Sequence, residues 1–125
     1  ESKAVEIESH INTTESILVS QLTLLETKRT LVRLEATARL SEAAREKAIA
    51  LLDQAASIWS LMEINQEVQS KAVNRFPREP VRSLAAIHLA TALTFLKIFP
   101  DLQFASLDER VLINLEPLGL FAAKV

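Results

Sequence analysis

The sequence predicts an α/β fold with a mostly parallel sheet and helices on both of its faces. Short apolar runs typical of buried strands alternate with longer segments rich in Leu, Ala, Glu, Lys and Arg, which favour helices. Strands that are separated by helices cannot pair as hairpins, so they are expected to run parallel. The chain has 125 residues, and no Pro-, Gly- or Ser-rich linker divides it. This length suits one domain spanning residues 1–125.

Each predicted element follows from local patterning and from the residues that begin or end it. Ser20, Ser41, Asn65, Ser83 and Asp108 are expected to begin helices as N-caps. Helices are expected to end at Pro77 and Pro80, at Pro100 and at Gly119. Helices are predicted at 2–11 and 21–37, from Ser41 onward, from Asn65 to the Pro77 stop, from Ser83 to Ile98 and from Asp108 to Gly119. Strands are predicted at 16–19, 58–62, 102–105 and 120–123.

Apolar side chains on one face of each helix define the expected core. The helix after Ser41 carries its apolar face at Ala44, Ala48, Leu51, Leu52 and Ala55. The helix after Asn65 is expected to bury Val68, Ala72, Val73 and Phe76, and the last helix Val111, Leu112 and Leu115. Trp59, within a predicted strand, is expected in the core.

Composition excludes several kinds of site. The chain has no cysteine, which excludes disulfides, zinc thiolates, iron–sulfur clusters and a cysteine nucleophile. Its single glycine leaves no glycine-rich phosphate loop. Fourteen basic and sixteen acidic residues give a net charge of -2, so bulk attraction to nucleic acid is not expected, although a local basic patch stays open. The most apolar stretch, 84–99, is too short and too polar to span a membrane.

Two carboxylates follow predicted strands, where an open parallel sheet places its site. Glu26 lies within two helical turns of the first strand, and Ser106 and Asp108 come directly after the third. Carboxylates supported by hydroxyls are the ligand chemistry of Mg²⁺ or Mn²⁺. From spacing alone the structural roles are favoured over metal binding, because Asp108 stands at an N-cap position and Glu26 can pair with Arg29 on its helix.

Other polar residues carry weaker functional signals. His88 lies on a helix that is apolar on most sides, so a buried structural histidine is the expected role. Arg75, Arg78 and Arg82 surround the proline-rich turn, where contact with phosphates and a solvated basic cluster are both consistent with the pattern.

Three segments carry family-like motifs in order along the chain. They are VSQLTLLETKRT at 19–30, RSLAAIHLATAL at 82–93, and FASLDER at 104–110 followed by LGL at 118–120. Together they resemble the PIN domain family, especially the VapC-type toxins of bacterial toxin–antitoxin pairs. The resemblance covers essentially the whole chain and implies a PIN-like three-layer α/β/α fold.

PIN domains are metal-dependent ribonucleases in which clustered acids hold Mg²⁺ or Mn²⁺ at the carboxyl end of the sheet. The resemblance places Glu26 on the second acid, Asp108 on the fourth and Ser106 on the hydroxyl that supports it. It also implies an RNA substrate, a cognate antitoxin protein, a homodimer and a cytoplasmic location. Arg78 and Arg82 are then candidates for RNA phosphate contacts.

The chain departs from the family pattern at two of the acids. The first acid lies on a central strand ahead of the first helix, so that strand is expected among residues preceding Glu1. Ala85 stands three residues before His88, where the third acid belongs, and alanine cannot ligate a metal. A weakened ribonuclease and a non-catalytic PIN-like domain that binds RNA or a protein partner are both consistent with Ala85. A plain α/β interaction protein is the third alternative.

Overall fold

The computed structural model describes residues 16–123, so the helix predicted at 2–11 lies outside the described residues. In chain order the elements are β1 (Leu18–Ser20), α1 (Gln21–Ala36), α2 (Glu42–Ala56), β2 (Ser60–Met62), α3 (Gln66–Ala72), α4 (Ser83–Leu96), β3 (Gln103–Phe104), α5 (Glu109–Leu115) and β4 (Phe121–Ala122). From the first strand onward, the predicted order of strands and helices is confirmed. The mixed α/β class is therefore confirmed.

All strand pairing within residues 16–123 is parallel. β1 pairs with β2, with Leu18 opposite Ser60, and β3 pairs with β4, with Gln103 opposite Phe121. The described strands form two separate two-stranded sheets, whereas the sequence predicted one sheet. Because each pair contains only two strands, each strand has an edge that no described strand covers.

The described chain divides into an N-terminal region, residues 16–63, and a C-terminal region, residues 64–123. In the N-terminal region, α1 and α2 are joined by a turn in which Ala38 adopts a positive φ of 58°. Lys28 Nζ lies 2.8 Å from Asp53 Oδ1, and Arg45 pairs with Glu35, so two ion pairs link the helices.

The apolar face predicted for α2 is only partly correct. Ala44, Ala48 and Leu52 are half-buried, but Leu51 and Ala55 are exposed, and α2 buries no side chain fully. Ile58 is 85% exposed, since the chain is still in a turn there and the strand begins only at Ser60.

The C-terminal region contains a contiguous apolar core centred on α4. Leu89 is fully buried, and Thr91 and Thr94 are buried with their hydroxyls donating to carbonyls of the same helix. The core cluster consists of Phe76, Ala86, Leu89, Ala92, Val111, Leu115 and Leu120.

One residue predicted for this core lies elsewhere. α3 ends at Ala72, so Val73 follows the helix instead of continuing its apolar face, and it is 84% exposed. Val68 and Phe76 from the same predicted face are buried, which agrees with the sequence pattern.

Side-chain caps begin most of the described helices. Ser20, Ser41 and Asn65 accept hydrogen bonds from backbone N–H groups of the helices that they precede, as the sequence predicted. Ser83 was wrongly predicted as a cap. Arg82 has the extended backbone of the N-cap position, and Ser83 is already the first helical residue.

The helices within residues 16–123 are seven to sixteen residues long. None of these helices combines the length and apolar character that crossing a bilayer requires. The longest of them, α1, has 16 residues and carries several charged side chains.

Candidate functional site

Asp108 is held at the start of α5 by hydrogen bonds on both sides of it. Its backbone N–H donates to Ser106 Oγ at 3.0 Å, and its Oδ1 accepts from the backbone N–H of Arg110 at 2.9 Å. Asp108 is therefore the N-cap of α5, with Ser106 fixing the turn that leads from β3 into the helix. The carboxylate is exposed, and its Oδ2 has no partner among the described residues.

Glu26 lies in the second turn of α1 and is half-buried. Its backbone carbonyl accepts a hydrogen bond from Thr30 Oγ1 at 2.9 Å, within the same helix. Glu26 belongs to the N-terminal region and Asp108 to the C-terminal region. The convergence of these two carboxylates on one ion stays a prediction.

Ala85 occupies the first turn of α4 and is half-buried. Its methyl group packs against the apolar core cluster of the C-terminal region. His88, on the next turn of the same helix, is also half-buried. At the position that the family pattern assigns to an acid, the chain therefore has a methyl group in contact with the apolar core.

The described residues supply few protein ligands for a metal. Within residues 16–123, no group of three or more His, Cys, Asp or Glu side chains is arranged to hold an ion. Mg²⁺ in proteins commonly uses only one or two carboxylates and completes its shell with water and substrate phosphates. The exposed Asp108 carboxylate suits that chemistry, and a cysteine- or histidine-rich metal site is not formed by the described residues.

A basic loop contacts helix α5 in the C-terminal region. We call residues 76–82, between α3 and α4, the arginine loop. Arg78 and Arg82 within it are exposed. Arg110, two residues after Asp108, donates from Nη1 to the carbonyl of Pro80 at 3.2 Å. The guanidinium of Arg110 therefore joins the loop that carries the other two arginines.

Asn114 anchors the arginine loop to α5. Its Oδ1 accepts from the backbone N–H of Arg78 at 2.8 Å, and its Nδ2 donates to the Arg78 carbonyl at 3.1 Å. Nδ2 also donates to the Arg110 carbonyl at 2.9 Å. The side chain is 0% exposed and fully hydrogen-bonded, so it fixes the backbone of Arg78 from inside the protein.

Glu79 stabilises the same loop through hydrogen bonds to its backbone. Its Oε2 accepts from the backbone N–H of Phe76 at 2.9 Å, and its Oε1 accepts from that of Val81 at 2.6 Å. These hydrogen bonds lower the pKa of Glu79 from its usual value, and the nearby positive charge of Arg75 adds to this effect. The carboxylate therefore has a structural role in the loop.

Sequence reasoning missed Asn114, Glu79 and Arg110. One signal for Asn114 was present in the sequence, because it shares a helical face with the buried Val111 and Leu115. A polar residue on an otherwise apolar face normally has specific partners inside the protein. No local sequence pattern indicated the loop contacts made by Arg110 or Glu79.

Comparison with known proteins gives no significant match to any family model, curated protein or solved structure. The resemblance to PIN domains is therefore carried by the three motifs in the chain alone.

Proposed function

We propose that this protein is a PIN-like ribonuclease of the VapC type, dependent on Mg²⁺ or Mn²⁺, that hydrolyses RNA in the cytoplasm. The observation that carries the proposal is the Ser106–Asp108 turn after β3. It presents an exposed carboxylate whose Oδ2 has no partner among the described residues, and the Ser106 hydroxyl fixes the turn by accepting from the backbone N–H of Asp108. This is the residue pair to which the resemblance assigns the fourth acid and its supporting hydroxyl.

Asp108 and Glu26 are the proposed metal ligands. A divalent ion at such a site supplies a polarised water and stabilises the charge that develops on the phosphate. The residues of the chain would bind that ion and position the substrate: Asp108 through the oxygen that the cap leaves available, and Arg78 and Arg82 through contacts with RNA phosphates.

The proposed protein partners are a cognate antitoxin and a second copy of the chain. Large apolar side chains are exposed along α1 and α2, including Leu25 at 60% and Leu51 at 56%. Contiguous apolar surface is typical of faces that a protein partner covers. The assignment of both partners follows from the family resemblance, with which these exposed side chains are compatible.

Ala85 favours a second candidate function, a non-catalytic PIN-like domain that binds RNA or a protein partner. Its methyl group packs against the core cluster in place of the third acid. Losing even a group that only positions a metal ligand typically costs ten- to a hundredfold in affinity or activity, so losing a ligand itself is expected to cost at least as much.

Cleavage of a labelled RNA pool separates the two functions. The full-length protein is incubated with Mn²⁺ or with chelator, beside an Ala85→Asp variant. The ribonuclease proposal expects cleavage that requires Mn²⁺ and increases in the variant. Absence of cleavage by both proteins, with the fold verified by circular dichroism, would favour the binding domain instead.

A further inference from the structure

Asn114 is a fully buried polar side chain on the face of α5 that also carries Val111 and Leu115. Those two side chains belong to the apolar core cluster, whereas Asn114 brings an amide into the same interior. Burying an amide costs free energy unless its groups are hydrogen-bonded. The Asn114 amide meets this requirement on two different segments of the chain, the arginine loop and the first turn of α5.

The partners of the Asn114 amide select one orientation for it. Oδ1 accepts from the backbone N–H of Arg78, and Nδ2 donates to the carbonyls of Arg78 and Arg110, which uses both of its hydrogens. An inverted amide would turn its oxygen towards carbonyl oxygens and lose these bonds. Because a satisfied buried network rigidifies the groups that it joins, Asn114 holds the loop and the start of α5 in one relative arrangement.

Arg110 connects this network to Asp108. Its carbonyl accepts from Asn114 Nδ2, and its backbone N–H donates to Asp108 Oδ1 at 2.9 Å. Its Nη1 donates to the carbonyl of Pro80 in the loop at 3.2 Å. One residue is therefore tied to the helix interior, to the capping carboxylate and to the loop, so the direction in which Asp108 presents Oδ2 depends on where Arg110 is held.

The helix α5 is too short to maintain this geometry by itself. It has seven residues, and isolated helices of fewer than about 12 residues are marginal in water. Its placement therefore depends on the packing of Val111 and Leu115 and on the hydrogen bonds of Asn114. Because apolar attraction is non-directional, the packing sets the depth of the helix, whereas the directional hydrogen bonds of Asn114 set its rotation against the loop.

We infer that Asn114 is a positioning residue for the metal-binding carboxylate of Asp108. The inference rests on the proposed function, which makes Asp108 a metal ligand. Asn114 is 0% exposed, so it acts on the site through Arg110 by holding the turn from which Asp108 presents Oδ2. Loss of a group that orients a metal ligand typically lowers metal affinity or activity about ten- to a hundredfold.

Metal affinity tests this role without relying on RNA cleavage. Isothermal titration with Mn²⁺ compares the full-length wild type with Asn114→Ala and Val68→Ala, at a temperature where circular dichroism shows both variants folded. Val68 is 0% exposed in α3 of the same region, so Val68→Ala controls for destabilisation alone. Asn114→Ala is expected to bind Mn²⁺ about tenfold more weakly, and Val68→Ala as tightly as the wild type. Equal affinity in all three proteins would overturn the inference, and so would an equal loss in both variants.

A double-mutant cycle tests whether Asn114 acts through Asp108. The titration of Asn114→Ala is repeated in the Asp108→Asn background, in which asparagine keeps the N-cap but the carboxylate is absent. There Asn114→Ala is expected to change the Mn²⁺ affinity by less than roughly twofold, because the group that it positions has already been removed. The same tenfold loss in both backgrounds would show that Asn114 affects the metal by another route, and this would overturn the inference.

Nuclear magnetic resonance of the wild type gives a test that does not depend on the folding of a variant. On titration with Mg²⁺, the backbone amides of Asp108 and Arg78 and the side-chain amide of Asn114 are expected to shift with one half-saturation concentration. The side-chain amide of the exposed Asn74 is the control and should not shift. A shift at Asp108 without one at Asn114 and Arg78 would overturn the inference and keep the metal site. Absence of Mg²⁺ and Mn²⁺ binding by the wild type would contradict the proposed function and the inference with it.

Discussion

The two regions of the chain differ in what holds them together. In the C-terminal region, α4 lies within a contiguous cluster of buried apolar side chains. In the described N-terminal region, Leu22 is the buried apolar side chain, and the contacts between α1 and α2 include two partly exposed ion pairs. Burying a large apolar side chain contributes about 1.5–3 kcal/mol, whereas an exposed ion pair contributes about 0–1 kcal/mol. The stability of the molecule is therefore expected to reside mainly in residues 64–123.

The largest expected effect comes from truncating the centre of the C-terminal core. Leu89→Ala removes a side chain that is 0% exposed and leaves a cavity, so the free energy of unfolding should fall by about 2–5 kcal/mol. Leu84→Ala, at a 48% exposed position on the same helix, is the matched control and should change it far less. Urea denaturation measures both, and equal losses would contradict the assignment of stability to this core.

Substitution of Asn114, which anchors the arginine loop, is expected to have the next largest effect on the free energy of unfolding. Asn114→Ala leaves the backbone groups of Arg78 and the Arg110 carbonyl without their partner in a buried position, which should cost about 1–3 kcal/mol. Asn74→Ala, at an exposed asparagine of the same region, is the control and should be nearly neutral. Thermal denaturation compares the two, and a neutral Asn114→Ala would show that the loop does not depend on this side chain.

Acid sensitivity is also expected in the C-terminal region. Hydrogen bonds from Lys71 and then Lys97 lower the pKa of Glu67, and backbone hydrogen bonds lower that of Glu79. A lowered pKa in the folded state means that these carboxylates stabilise the fold fully above the ordinary glutamate pKa. That contribution is lost as the pH falls towards the lower folded values. Urea unfolding across this acidic range should show the loss, and Glu79→Gln should flatten it. An identical pH profile for the variant would contradict a role for Glu79.

The smallest effect is expected between α1 and α2. A double-mutant cycle on Glu35→Gln and Arg45→Gln should give a coupling free energy below about 1 kcal/mol, because both side chains are partly exposed. Chemical denaturation of the wild type, the two single variants and the double variant supplies the four values. A coupling of several kcal/mol would show that this pair, rather than apolar burial, holds the two helices together.

Local signals predicted the elements well, whereas long-range packing was not predictable from the sequence. The capping role of Asn65 was predicted correctly because a cap depends on residues a few positions apart. The prediction that Val73 is buried is wrong, because the apolar helical pattern of the sequence continues past Ala72, where α3 ends.

The candidate site shows the same division between local and distant contacts. The Ser106–Asp108 turn lies within one short motif, so sequence reasoning reached both residues. The contact of Asn114 with Arg78 joins residues 36 positions apart, and nothing in the local pattern specified that partner. The pairing of Glu26 with Asp108 is equally distant in sequence and stays a prediction.

Direct measurement of Mn²⁺ binding tests the central claim, that Asp108 is a metal ligand. Isothermal titration compares the full-length wild type with Asp108→Asn, since asparagine is as good an N-cap as aspartate and keeps the start of α5 intact. Glu109→Gln removes the neighbouring exposed carboxylate as a control for charge. We predict that the wild type and Glu109→Gln bind Mn²⁺ alike and that Asp108→Asn binds it at least about tenfold more weakly. Absence of Mn²⁺ binding by the wild type, or equal affinity in both variants, would contradict the account.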